Sequence, residues 1–302
     1  MTIWNEKLLL VGDNPFHNIS HLSQERARNR TEDPSDPKYA AHLIKVALDN
    51  GANGFTFSVS ETTLSILSEL KERYALNQLH LLPVVPYAFE YVRLASQLGG
   101  ISSLVRKLGM DILKSRNLKA IRLGVKGALT RNPEAIMKTY LAYEISRVEP
   151  FVDNKVCLDS LLLHQLITDM ALALNLDLFF KTYIDFLSSY KITPGFNTGN
   201  FAFLVNKFNE WNIDLREVVV AAPFNKIGFQ MVPSIQECEK FLRKNPAPFV
   251  IALSVLAAGY IQPKDAAEYI ATLPQIKGIA LGVSKEKHAK ETFSIFTKVL
   301  ET

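Results

Sequence analysis

The chain reads as an α/β protein, a (β/α)8 TIM barrel with an insertion and long loops over its carboxyl face. Three observations predict it. Short apolar runs alternate with segments of helical periodicity along nearly the whole chain, the pattern of repeated βα units. The connections between runs are too long for hairpins, so the strands must pair in parallel through crossovers. Polar and ionisable residues gather just after the runs, at the rim where such barrels keep their chemistry. With 302 residues there is enough chain for one such barrel. We read residues 1–302 as a single domain with an extra helical segment at about 86–150. A doubly wound open sheet is the runner-up, but no glycine-rich dinucleotide fingerprint follows the first run.

Taken in order, residues 7–11 form the first strand, ended by Gly12. The loop Gly-Asp-Asn-Pro-Phe-His-Asn-Ile-Ser-His follows at 12–21. Asp13, Asn14, His17 and His21 are therefore candidates for chemistry at the rim. The competing reading is that Asp13 and Asn14 only make a turn before Pro15. The rest of that loop, through Arg26, Arg28 and Arg30, is long enough to fold over the mouth. Asp36-Pro37 opens a helix that Gly51 ends, with Pro37 suited to the first position. Residues 54–59 form a strand and Ser60 caps the next helix. Residues 79–85 form a third strand, followed by Tyr87 and Glu90, the latter a candidate acid or base. A helical stretch at 100–116 precedes a strand-like run at 119–124. Arg122 sits in the middle of that run and, if inward, needs an anionic partner. Asn132-Pro133-Glu134 opens a helix to about Val148.

Residues 159–165 read as a buried strand with His164 at its carboxyl end, a catalytic position in barrels and also a common site for a structural histidine. An aromatic helical segment reaches Tyr190, and its rings (Phe179, Phe180, Tyr183, Phe186) are read as core packing. Residues 191–197 form a strand ending in Gly-Phe-Asn-Thr-Gly-Asn-Phe, and a helix spans 200–211. A β-branched strand at 218–223, a helix capped by Ser234, a strand at 249–256 and a helix from Pro263 complete the series before the last unit. This gives nine strand-like runs for eight places. Either the first is a bottom hairpin or the 119–124 run belongs to an insertion.

The last unit draws most attention. The apolar run Ile279 to Leu281 stops at Gly282, and Ser284 is read as the N-cap of a helix with Glu286 in its first turn. A strand, glycine turn and helix N-terminus present free amides at a positive dipole end, a seat for phosphate. Lys285, Lys287 and His288 add charge there. The plain alternative is an ordinary final βα unit with solvated lysines.

Composition narrows the classes. Hydrophobic residues make up 48% and charged residues 21%, with a net charge of +4 from scattered residues. That argues against a nucleic-acid partner. No apolar run is long enough for a membrane span and the N-terminus lacks a signal pattern, so we expect no membrane partner and a cytoplasmic protein. Cys157 and Cys238 sit in no metal spacing. Asp13, His17 and His21 cluster in one loop, yet their spacing matches no standard zinc pattern, so no metal is expected.

Four late segments resemble the aldo-keto reductase superfamily, in the same order. Asp159-Ser-Leu-Leu-Leu-His164 resembles that family's strand-four motif, whose His belongs to the catalytic tetrad. Gly195-Phe-Asn197-Thr-Gly-Asn200-Phe201 is similar to its nicotinamide-carboxamide turn. Ala252-Leu-Ser254-Val-Leu-Ala-Ala-Gly259 resembles its pyrophosphate loop. Gly282-Val-Ser284-Lys285-Glu-Lys-His288-Ala-Lys-Glu291 is similar to its adenosine-phosphate segment. The resemblance implies a barrel, NADP as the candidate cofactor, and Asn197, Asn200, Ser254, Gly282, Ser284, Lys285 and His288 as its contacts. The chain departs from the family elsewhere. The catalytic Asp falls on Thr56, no Tyr follows, no Lys ends the third strand, the stacking Tyr falls on Leu253 and a Gln on Ala221. Of the tetrad, His164 alone is left.

Three functions follow. The first is an oxidoreductase with a rearranged site, in which Asp13, His17, Tyr87 or Glu90 supplies the acid. The second is a non-redox lyase, isomerase or hydrolase on a phosphorylated or carboxylated small molecule. The third is a binding protein on a decayed barrel. The expected catalytic set is His164, Asp13, His17, Glu90 and Arg122, acting on a small-molecule substrate; oligomeric state is not legible.

Overall fold

The computed structural model describes residues 6–17, 33–86, 133–245 and 248–301, with five isolated positions between 96 and 110. The strands are β1 (Leu8–Gly12), β2 (Gly54–Ser58), β3 (Leu79–Val85), β4 (Val156–Leu158), β5 (Ser160–Leu163), β6 (Thr193–Asn197), β7 (Val219–Pro223), β8 (Phe249–Leu253) and β9 (Ile276–Gly282). All pair in parallel in the order β2-β1-β9-β8-β7-β6-β5-β3, and β2 pairs back with β3, so the sheet closes. β3 pairs with both β4 and β5. Those two segments are one barrel stave interrupted at Asp159, which stays in the ladder by donating to the Leu81 carbonyl at 3.2 Å. The closed sheet therefore has eight staves, and the protein is a (β/α)8 barrel.

This settles the surplus run. The first run is a full barrel strand, not a bottom hairpin. The barrel closes without 119–124, which lies outside the described residues, as do Tyr87, Glu90, Arg122 and His21. The fourth stave begins earlier than expected, because Val156–Leu158 is too short to show a period of its own. The ninth segment is longer than its apolar run, since Ile276 starts the pairing with Val250.

Alternation along the strands makes two apolar layers. Leu8, Leu10, Leu82, Leu162, Val219, Ala221, Phe249 and Ile251 fill the lumen. Their neighbours Leu9, Val11, Phe55, Phe57, Leu81, Leu161, Phe196 and Val220 face the helices. Gly54 is where the lumen admits no side chain. A Cβ there would stand 2.7 Å from the His80 carbonyl oxygen and 2.5 Å from Leu10 Cδ2. Gly54→Ala is thus expected to cost about 2–3 kcal/mol through overpacking against backbone, measured by urea unfolding, and a neutral result would refute the close approach.

The helices are α1 (Pro37–Asp49), α2 (Glu61–Arg73), α3 (Pro133–Val148), α4 (Gln165–Ala173), α5 (Asp177–Ser189), α6 (Phe201–Glu210), α7 (Ile235–Lys244), α8 (Pro263–Ala271) and α9 (Glu286–Glu301). Asp36 caps α1 through Lys38 N and Tyr39 N, Ser60 closes a capping box with Thr63 on α2, and Ser234 caps α7. α3 takes its place in the outer layer with Leu141, Ala142, Ile145 and Val148. The segment 165–190 is two helices, broken where Asn175 takes a positive φ of 52°. Its aromatics are core: Phe180 lies 5.6 Å from Phe196 and 5.3 Å from Phe208 between ring centroids. Among the described residues no helix is long and apolar enough to cross a membrane.

Candidate active site

Because every stave runs the same way, Gly12, Ser58, Val85, Leu163, Asn197, Pro223, Leu253 and Gly282 all end at one rim. The His164 end and the closing glycine–serine–lysine turn are therefore on the same face. At Gly282 the turn passes close under the first loop: an added Cβ would come within 3.1 Å of Pro15 Cγ.

Asp13 follows β1 and is buried. Its Oδ2 accepts from Ser58 N–H at 2.6 Å, across the top of β2, and from His17 Nε2 at 3.1 Å. His17 ends a single 3-10 turn, residues Asn14–His17, that places its ring back over Asp13. Both side chains are nearly closed to solvent, at 7% for His17 and 11% for Asp13. A carboxylate–imidazole pair in contact can chemically pass a proton between its members.

His164 caps α4. Its backbone N–H donates to the Val85 carbonyl at 2.7 Å, and its Nδ1 accepts from Leu166 N–H at 3.2 Å. The acceptor nitrogen is thus fixed, and the neutral ring carries its proton on Nε2. Burial lowers the imidazole pKa, while the carboxylates of Asp13 and Asp169 partly restore it. The ring at neutral pH is a neutral Nε2–H donor, and Asp13 is close enough to act on its charge.

The next stretch of rim carries polar groups without charge. Asn197 ends β6, and its Oδ1 is buried with no partner among the described residues. An unpaired buried acceptor is costly and calls for a donor. Asn200 is committed differently: its Oδ1 accepts from Phe203 N–H at 3.1 Å and caps α6.

After β8 the chain makes a strained turn. Ser254, Ala257 and Ala258 hold positive φ of 52°, 45° and 58°. The turn's amides are spent within it: Ala257 N–H donates to the Ser254 carbonyl and Gly259 N–H to the Leu256 carbonyl, each at 2.8 Å. The Ser254 hydroxyl donates to Gln230 Oε1 at 3.0 Å, so the loop after β7 leans on this turn. That loop is braced by Asn225, which exchanges two hydrogen bonds with Phe229, each 2.8 Å.

The closing turn departs from expectation in one respect. α9 starts at Glu286, and the Lys285 carbonyl accepts its first bond, from Ala289. Ser284 therefore lies one residue before the cap position and does not cap the helix; its spacing to the first apolar helical residue was one too long. Lys285, Lys287 and His288 are exposed. The Glu286 carboxylate is drawn aside by Lys290 and by His42 of α1, which lies 3.1 Å away, and both hold its pKa below the usual range. It does not fill the turn.

Of the expected catalytic set, then, the structure brings Asp13, His17 and His164 to one rim. Sequence reading missed Asp169, Ser58 and Gln230. Their partners are 30, 45 and 24 residues away, and nothing local signals such pairings. Among the described residues no group of three or more His, Cys, Asp or Glu stands together to hold a metal ion.

A closed parallel sheet with its ionisable groups at the carboxyl rim defines the class, a (β/α)8 barrel. No family model and no curated protein matches the chain. Solved structures do. Two structures of a Pseudomonas aeruginosa protein provisionally named an aldo-keto reductase match at TM-scores of 0.52 and 0.53, each with 12% identity over 97% of this chain and 90% of theirs. An Anabaena variabilis protein provisionally named a sugar phosphate isomerase/epimerase matches at a TM-score of 0.46 and 9% identity, over 98% of this chain and 96% of its own. At 12% identity the likeness to the two Pseudomonas aeruginosa structures establishes the shared fold.

Proposed function

We propose that the chain is an oxidoreductase-like enzyme acting on a small carbonyl compound at the barrel mouth, with NADP lying along the rim from β6 to β9. One observation carries the reading: the Asp13–His17 pair and the His164 Nε2–H donor share a rim with the closing turn. The anionic half of a dinucleotide fits what is there. The closing turn offers a helix N-terminus, and Lys285 and Lys287 offer charge. The carboxamide end fits the unpaired Asn197 oxygen. The nicotinamide face is the poorest match, because Leu253 gives an aliphatic surface where the resembled family has a ring.

When bound, the dinucleotide supplies hydride. This chain's residues do the rest. His164 holds the substrate carbonyl oxygen through Nε2–H, and the Asp13–His17 pair manages the proton. Thr56, whose hydroxyl donates to the Leu82 carbonyl at 3.0 Å, has no acid–base role. Intrinsic fluorescence titrated with NADPH is expected to saturate below millimolar concentration. No saturation up to millimolar NADPH would remove the dinucleotide.

Thr56 and the valines that end β3 also favour a second reading. With no tyrosine–lysine pair, the same acid–base groups suit a non-redox reaction on a phosphorylated or carboxylated substrate, whose anion the closing turn holds. Saturable binding of inorganic phosphate without any of NADPH would select it.

A further inference from the structure

Asp169 has no part in the Asp13–His17 pair or in the closing turn. It lies on α4, five residues after His164. Its Oδ1 accepts from the Thr198 hydroxyl at 2.6 Å and its Oδ2 from Gly199 N–H at 3.0 Å. Thr198 is fully buried, and its hydroxyl oxygen accepts in turn from Asn200 N–H at 3.0 Å. Thr198 N–H donates to the Ala221 carbonyl of β7 at 2.9 Å. One carboxylate thereby fastens the turn that directly follows Asn197.

Charge-assisted bonds of this length are the strong ones, and two on one carboxylate fix direction as well as position. Both oxygens are used, one for the Thr198 hydroxyl and one for the Gly199 amide, so the turn is held at two points.

We propose that Asp169 is a positioning residue of the rim site: it sets Asn197 at the mouth by locking residues 198–200. The inference rests on the proposed function for its purpose but not for its test. Two variants separate the lock from the bulk of the side chain. Asp169→Asn retains both bonds, since its oxygen accepts from Gly199 N–H while its amide donates to Thr198 Oγ1. Asp169→Ala retains neither.

The experiment is NMR on the full chain: hydrogen exchange of the Gly199 amide, and binding of NADPH as the probe. In Asp169→Ala, Gly199 exchange is expected to accelerate and the NADPH dissociation constant to rise about tenfold or more, as for a misplaced binding group, while Asp169→Asn is expected to keep both near their unaltered values. Unchanged Gly199 exchange in Asp169→Ala overturns the lock. Faster exchange with an unchanged dissociation constant overturns the positioning role. If the unaltered protein binds no NADPH, the dinucleotide reading fails, while the amide exchange still decides the lock.

Discussion

Replacing Asp159 with alanine is expected to cost the fold about 3 kcal/mol, and more at about pH 5.5 than at about pH 8.5. Asp159 interrupts the fourth stave at the amino end of the barrel, opposite the site. His80 Nδ1–H donates to its Oδ2 at 2.8 Å, and the two side chains are only 2% and 6% exposed. The other ring nitrogen faces Glu6 Oε2 and the Gln78 carboxamide nitrogen, each at 3.2 Å. Protonated, the ring donates to Glu6; neutral, it accepts from Gln78. Burial alone would lower the His80 pKa, but the hydrogen bond and charge of Asp159, helped by Glu6, outweigh it and leave the pKa raised. A histidine with a raised folded pKa gives stability that is complete below its unfolded value, near 6.5, and that fades as pH rises through the folded value. Breaking a buried pair costs about 3–5 kcal/mol, and the low end applies because the half-exposed Glu6 remains as a partner. His164 works in the opposite sense. Its lowered pKa gives stability at high pH that is lost as pH falls below about 6.5, so the wild-type profile mixes two slopes. Comparing mutant with wild type by urea unfolding at each pH isolates the His80 part. An equal loss at both pH values would show that the Asp159 contact is packing, not charge.

Much of this architecture is visible in the residue pattern. Alternating lumen and helix-facing residues, the caps at Asp36, Ser60 and Ser234, and glycines at strand ends all state local preferences that the tertiary structure keeps. What was hidden has a physical reason in each case. Val156–Leu158 is three residues long and acquires its strand identity from pairing with β3, not from periodicity. The break at Asn175 depends on a left-handed residue inside an otherwise continuous helical pattern. Within the site, His164 and Asp13 were legible because strand ends mark the rim. The Ser58 bond that holds Asp13 and the Asp169–Thr198 bond that fastens the turn after β6 were not, because these residues reach their partners through space. The same holds for His80: its position within β3 gives no hint that its partner is the residue interrupting another stave.

Asp13→Asn is expected to lower turnover by about 100- to 10,000-fold while changing stability by less than about 1 kcal/mol. The separation follows from which atom does the work. Oδ2 accepts both from Ser58 N–H and from His17 Nε2, so an asparagine oxygen in that place keeps both bonds and the link between β1 and β2. What the substitution removes is the negative charge and the basicity. Without them His17 Nε2 faces an amide oxygen that cannot take up a proton. His164 also loses one of the two carboxylates that offset its burial, so its pKa falls further and the ring stays a neutral donor. Carbonyl binding through Nε2–H should therefore persist, and the loss should fall on kcat with KM little changed. The measurement is NADPH oxidation with a panel of small aldehydes and ketones, followed for wild type and variant on the compound that turns over best, alongside urea unfolding. A variant that folds as well as wild type and turns over as fast would remove Asp13 from proton transfer. A variant that loses stability and activity together would make the Asp13–Ser58 link a structural tie between the first two staves.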